Sequence, residues 1–240
     1  MRAFVIAFRR AVPALCLVLA PPLAGAQTLV EAELVCPIDG EKFKTMLAVP
    51  DTPLSFHLDL KPSGPNGAIW PLAKCPSSGF VMYKRDFSED ELARLRPYVA
   101  SAQYQALSEA HTNYYLGARL RAHLGATPAH LAYVLLQATW EADSRPRYEQ
   151  YATEALETFK RVLAGPIPNA KEWINAQFVT GELERRLGRF KDARARFHAL
   201  SDHDEVREGT FRQVLQLQLR LIEARNTASH LIPREGAEPK

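Results

Sequence analysis

Cysteine is scarce in this chain: three occur among 240 residues, at Cys16, Cys36 and Cys75. That excludes a disulfide-dense miniprotein. Glycine, at 12 residues, is too sparse and irregular for a collagen-like repeat. Neither charge sign dominates. There are 30 Lys and Arg against 27 Asp and Glu, in a chain 47% hydrophobic and 24% charged. This balance excludes a disordered acidic or basic tail protein. One apolar run alone is long enough to consider as a membrane segment, which excludes a polytopic membrane protein. The chain also lacks G-x-S-x-G, H-E-x-x-H, a P-loop and a dinucleotide glycine fingerprint.

The apolar run lies at the start. Arg2, Arg9 and Arg10 precede it, with no acid, and residues 11–23 are apolar but broken by Pro13, Pro21 and Pro22. Ala24-Gly25-Ala26 before Gln27 is an A-x-A cleavage pattern. A positive start, a short apolar region and small residues at the cut predict a cleaved signal peptide over 1–26. A membrane anchor needs about 20 apolar residues, which the prolines deny here. A lipoprotein site at Cys16 would need a small residue where Leu15 stands. The Arg9-Arg10 pair hints at twin-arginine export, although its surroundings match poorly. The expected location is outside the cytoplasm, in the periplasm. Cleavage removes three arginines and no acid, so 27 basic residues face 27 acidic ones. A neutral chain is not a general nucleic-acid binder, which needs a basic excess to neutralise phosphates.

The two cysteines left after cleavage have similar surroundings. Cys36-Pro37-Ile38-Asp39-Gly40 is echoed by Cys75-Pro76-Ser77-Ser78-Gly79. A zinc ribbon uses two C-P-x-C-G turns, whose four thiolates make a tetrahedral site. Here each turn keeps its first Cys, its Pro and its Gly, and the second Cys is replaced by Asp39 or Ser78. Strands are expected at 43–49, 55–60 and 68–72, separated by Pro/Gly-rich breaks at 50–53 and 62–67. This makes 27–87 a small β-rich, zinc-ribbon-like head. In an oxidising compartment facing turns favour a Cys36–Cys75 disulfide. The alternative is a zinc site of Cys36, Asp39, His57 and Cys75, or two free, redox-active thiols.

Residues 88–225 read as helical. Ser88 with Glu91 is a capping box. That helix is expected to run to Arg96, with Pro97 starting a second one to about Ser108. Further helices are expected at about 110–124, 129–142, 146–164, 170–187, 190–200 and 209–225. The segment 129–142 is apolar nearly all round and so central. Gly181 and Ala193 are small enough for two antiparallel helices to pack closely. Gly181, Gly188, Phe190, Ala193 and Phe197 fit one tetratricopeptide unit, a helix–turn–helix repeat. The fold class is thus mainly α, a tetratricopeptide-like array of helical hairpins behind the head. The last helix reads as a cap, and 226–240 as a flexible tail.

The order C-P-x-x-G, C-P-x-x-G-F and then tetratricopeptide-like helices resembles a bacterial family catalogued as domain of unknown function 2225. The strongest local match is Gly181-Glu182-Leu183-Glu184-Arg185-Arg186-Leu187-Gly188-Arg189-Phe190-Lys191-Asp192-Ala193. Tyr115-Leu116-Gly117-Ala118 and Ala138-Thr139-Trp140 are similar to other helices of that family. The resemblance spans about residues 33–200. It implies a zinc-ribbon-like head, a helical repeat body and no established activity. This chain departs from it at Asp39 and Ser78, and in carrying an export leader.

No residue pattern points to catalysis. Seven histidines are scattered. Asp202-His203-Asp204 falls in a loop, where charges are solvated. His130 and Glu141 share a polar stripe, and Glu182 and Glu184 do not share a helix face. The densest charge run is Arg185, Arg186, Arg189, Lys191, Arg194 and Arg196, against Asp192. Its plain reading is the wet face of two helices. Its functional reading is a site for an acidic partner, with Arg185, Arg186, Arg189 and Arg194 as candidates. Tyr115 and Tyr133 are candidate groove residues, since a phenol tolerates a half-wet position. The expectation is an exported, non-catalytic scaffold or adaptor for a protein or peptide. It would have no cofactor and no membrane span after cleavage. The alternative is a metal- or thiol-handling envelope protein using Cys36 and Cys75.

Overall fold

A computed structural model describes residues 29–48, 52–64 and 70–233. The expected leader, 1–26, lies outside them. The described chain is mainly helical, with small antiparallel strand pairs near its N-terminal end.

The first pair joins β1 (Leu29–Val35) to β2 (Lys42–Ala48), in a register running from Leu29 opposite Ala48 to Val35 opposite Lys42. The turn at its tip is the first cysteine turn. There the Gly40 amide donates to the Cys36 carbonyl at 2.9 Å, and the Cys36 amide donates to Glu41 O at 2.8 Å. The pair β5 (Ala73–Lys74) and β6 (Val81–Met82) carries the second turn. Its bonds repeat the first: Gly79 N to Cys75 O at 3.0 Å, and Cys75 N to Phe80 O at 2.8 Å. Gly40 and Gly79 have φ of +77° and +69°, which only glycine adopts without strain. The shared sequence pattern thus becomes a shared backbone.

The turns face each other, and Cys36 and Cys75 form a disulfide with a Cα separation of 5.8 Å. Both cysteines are fully buried, packed with Phe43, Phe80 and Val81 and with Leu95, Val99, Tyr104, Leu116 and Leu120 of the helical body. The head therefore shares a core with the helices that follow. A third strand pair, β3 (Ser55–Phe56) with β4 (Pro62–Ser63), stands apart from the cysteine turns. The strand expected at 68–72 is not found among its described residues. Proline at 71 interrupts it, and pairing begins at Ala73. Leu29–Val35 was not expected, because its partner lies across the first turn and no local signal marks it.

Eight helices follow: α1 (Glu89–Val99), α2 (Ala102–Ala110), α3 (Asn113–His123), α4 (Pro128–Trp140), α5 (Arg145–Leu163), α6 (Ala170–Arg186), α7 (Phe190–Ser201) and α8 (Gly209–Glu223). The capping box at the start of α1 is formed, with Ser88 and Glu91 bonding each other's backbone. One expected boundary moves. Pro97 lies inside the last turn of α1, and the next helix starts at the Ser101 cap. Ser101 Oγ accepts from Tyr104 N at 3.2 Å, supplying a cap that Pro97 cannot.

From α3 onward each helix packs on its neighbour in sequence. One apolar cluster joins α3–α6 and another joins α6–α8. The α6–α7 contact is close because position 181 is glycine. A Cβ there would lie 2.5 Å from Cζ of Phe197. The small residue expected at 181 thus has a geometric cause.

The chain beyond α8 is tied down as far as it is described. The Ile232 amide donates to Phe56 O, and the Leu58 amide donates to His230 O, each at 2.8 Å. His57 and Leu231 form an antiparallel bridge. A flexible tail from 226 was expected. Residues 226–233 instead form a strap onto the β3–β4 hairpin, and 234–240 lie outside the described residues. The partner backbone comes from some 170 positions earlier, so no local pattern announces it.

Candidate functional site

The candidate surface lies on α5, α6 and α7. Trp173, Gln177 and Glu184 fall on one stripe of α6, and Asp192, Ala195, Arg196 and Ala199 on one stripe of α7. These spacings, near three, four and seven, put residues on one helical face. With Lys160 of α5 and Leu200 they line an open groove of about 510 Å³. The small side chains of Ala195 and Ala199 leave this space. Gly181 draws the helices together beside it, through the Phe197 ring.

The groove has a polar floor. Glu184 is almost wholly buried, and Arg196 holds it with two donors, Nε at 2.9 Å and Nη2 at 2.8 Å. Arg196 Nη1 also donates to Gln177 Oε1. This fork fixes the α6–α7 face by charge-assisted bonds. Trp173 is half-buried, with its ring 5.4 Å from that of His203. The lining charges balance, Lys160 and Arg196 against Glu184 and Asp192. Lys160 and Arg189 both reach Glu157, at 3.1 and 3.5 Å. The Lys160 hydrogen bond is the main cause holding the Glu157 carboxyl below the ordinary carboxylate range. Lys191 and Arg194 are exposed.

The expected partner residues divide. Arg189 and Arg194 are not among the residues lining the groove, and Arg194 is exposed on another face of α7. Arg185 is fully buried, and expecting it on a wet face was wrong. Its guanidinium donates to both Glu182 oxygens at 2.8 Å, to Gln218 Oε1 at 3.0 Å and to the carbonyls of Asn226 and Ala228. Burial pushes the Glu182 carboxyl up to about 7, and Arg185 opposes that rise. A buried charge needs such partners. Here α8 and the strap supply them, so the sequence run alone could not reveal the burial. Arg186 is mostly buried, ion-paired with Asp59, with its guanidinium 4.2 Å from the Tyr148 ring centre.

Tyr115 is also in the core. Its ring lies 4.2 Å from that of His111 and 4.5 Å from that of Tyr151, with the Arg119 guanidinium 4.3 Å from its centre. Its burial corrects the expectation of a groove position. Tyr133 is 38% exposed, edge-on to Phe159 at 5.1 Å.

The alternative zinc ligands are not assembled. Cys36 and Cys75 are closed in the disulfide. The Asp39 carboxylate accepts from Glu41 N at 3.0 Å. His57 Nδ1 faces Ser229 Oγ at 2.9 Å, on the other strand pair. Among the described residues, no three His, Cys, Asp or Glu side chains converge as metal ligands. Nor is any described helix long and apolar enough to cross a membrane.

Comparison with protein-family models, with curated proteins and with solved structures returns no match for this chain. The functional reading therefore stands on the residues themselves.

Proposed function

We propose that this chain is an exported, non-catalytic scaffold or adaptor that holds a protein or peptide partner on tetratricopeptide-like helices. The observation that carries the reading is the open groove on α5–α7. It has an ion-paired floor and an aromatic wall at Trp173. Helical pairs that pack in sequence present such extended surfaces without chemistry of their own. The lining charges balance, so the groove suits a partner segment that offers an apolar or aromatic side chain to Trp173. The buried disulfide suits an oxidising compartment. A thiol- or metal-handling role for Cys36 and Cys75 has less support, since both sulfurs are sealed from attack in the core.

The test is site-specific photocrosslinking in intact cells. A photoreactive residue at Ala195 or Ala199 should give a discrete crosslinked species. Trp173→Ala should weaken it, and the same photoreactive residue at exposed Arg212 of α8 should give none. Equal products from Arg212, or none from both groove positions, would overturn the reading.

A further inference from the structure

The strap carries one histidine and is laid against another. In the seam, His57 pairs with Leu231 and the Leu58 amide donates to His230 O. His57 Nδ1 lies 2.9 Å from Ser229 Oγ. His230 stands across from Leu58, which is buried in the α6–α8 cluster. The Nε2 atom of His230 is also buried, with no hydrogen-bond partner among the described residues.

A neutral imidazole tolerates such a place by leaving Nε2 as its bare nitrogen. A protonated one has N–H on both nitrogens, so it would bury an unpaired donor together with a charge. The neighbours add to this cost. Arg185 and Arg186 of α6 repel a charged His230, and so does a charged His57 of the hairpin. His57 itself faces Lys61 and Arg186, with Asp59 acting in the opposite sense. Both carboxylates are already engaged. Asp59 takes Arg186 and the Lys61 amide, and Glu182 takes Arg185 and Gln218. Across the open space beside His57 stand Asp143, Arg145 and Tyr148. Asp143 is paired with Arg147, Arg145 is paired with Glu149, and burial keeps the Tyr148 hydroxyl protonated. Burial is the main cause holding both imidazoles below their ordinary range.

We infer that residues 226–233 are an acid-released latch, which opens when His230 and His57 take up protons. Its other holds are the Ile232 amide on Phe56 O and the Arg185 guanidinium on the carbonyls of Asn226 and Ala228. Opening would uncover the edge of β3, whose unpaired backbone a partner strand can then use. None of these groups lines the α5–α7 groove, so the latch and the groove stand or fall separately. The direction follows from the neutral rings of the closed form. Above the ordinary imidazole value of 6.5 the rings are neutral in both forms, and the latch is fully favoured. As pH falls below it, the open form takes up protons that the closed form resists. Glu182 works the other way. Burial raises its carboxyl to about 7, so the closed form takes up that proton more readily.

Amide hydrogen exchange of the full chain at pH 7.5 and 5.5 tests this, with each rate divided by the intrinsic rate at that pH. Protection of Leu58 and Ile232 should fall severalfold at pH 5.5. The ceiling is about tenfold per histidine, set by a free imidazole one unit below its ordinary value. The amides of α4 should keep their protection, which separates latch opening from general unfolding. His230→Leu removes the buried nitrogen and leaves Glu182 and the arginines in place, so it should abolish most of the fall. His57→Asn should reduce it. Equal protection of the parent seam at both pH values would overturn the inference. So would the parent's full fall persisting in both variants, or α4 losing protection in step with the strap. A strap already open at pH 7.5 in both variants would overturn it too, because the rings would then be plain anchors.

Discussion

Replacing Gly181 by alanine should destabilise this protein, although alanine is the better helix former. Position 181 lies inside α6, where Gly→Ala alone would gain about 1 kcal/mol. The new methyl, however, would meet Phe197 Cζ at 2.5 Å and Cε2 at 2.7 Å. Carbon atoms rest at about 3.5–4.0 Å, so the overlap is roughly 1 Å. The ring cannot retreat. Phe197 is fully buried among Ala193, Leu200 and Phe178. Overpacking of this kind costs about 1–3 kcal/mol and occasionally more. An overlap of roughly 1 Å against a confined ring falls at the upper end of that range, so after the helix gain the net loss is about 2 kcal/mol. For a chain of this size the thermal midpoint should fall by roughly 4–8 °C. Urea unfolding followed by circular dichroism would measure the change. In a Phe197→Leu background the ring edge is gone, so Gly181→Ala should become neutral or stabilising. The cycle should then show coupling of about 2 kcal/mol. Gly117→Ala in α3 is the internal comparison, because its Cβ would meet nothing closer than Arg121 Nη1 at 3.1 Å, with ordinary contacts at 3.7 Å. The reasoning fails if Gly181→Ala unfolds at or above the parent's midpoint, or if Phe197→Leu leaves its effect unchanged.

Two further outcomes concern groups locked in the interior. The double change Cys36→Ser/Cys75→Ser opens a link across 39 positions, and should cost roughly 4 kcal/mol in the chain-entropy account. Denatured, unreduced parent protein should show no free thiol at these positions, and two thiols per chain would contradict the bridge. Arg185→Met strands the Glu182 carboxylate and two strap carbonyls, and should cost about 3–5 kcal/mol. Removing both charges, as Glu182→Met/Arg185→Met, should cost less than Arg185→Met alone. An Arg185→Met protein as stable as its parent in urea would refute the buried network.

Much of the helical body was legible because its signals are local. The Ser88–Glu91 box and the glycines at 125 and 188 sit within a few residues of the ends they mark. The 181–197 spacing was legible for the same reason, since both helices lie in one stretch of chain. Pro97 misled because a proline can occupy a last turn as well as a first one, and the Ser101 cap decided the boundary. The α5–α7 groove was not legible: its Glu184–Arg196 floor joins two different helices, and neither Arg189 nor Arg194 lines it.

Composition and short-range pattern by themselves determined a mainly helical chain and two matching cysteine turns able to meet. Helix capping, turn chemistry and apolar periodicity act within a few residues, so the order of amino acids carries them. Tertiary structure alone decided which arginines of one charge run face water. It drew Arg185 inward to carbonyls at 226 and 228, and left Arg194 outside. It also converted the expected loose tail into a strap and brought His57 and His230 to one seam. Burial and hydrogen-bond satisfaction depend on groups far apart in the chain. They come into being only when the chain closes on itself.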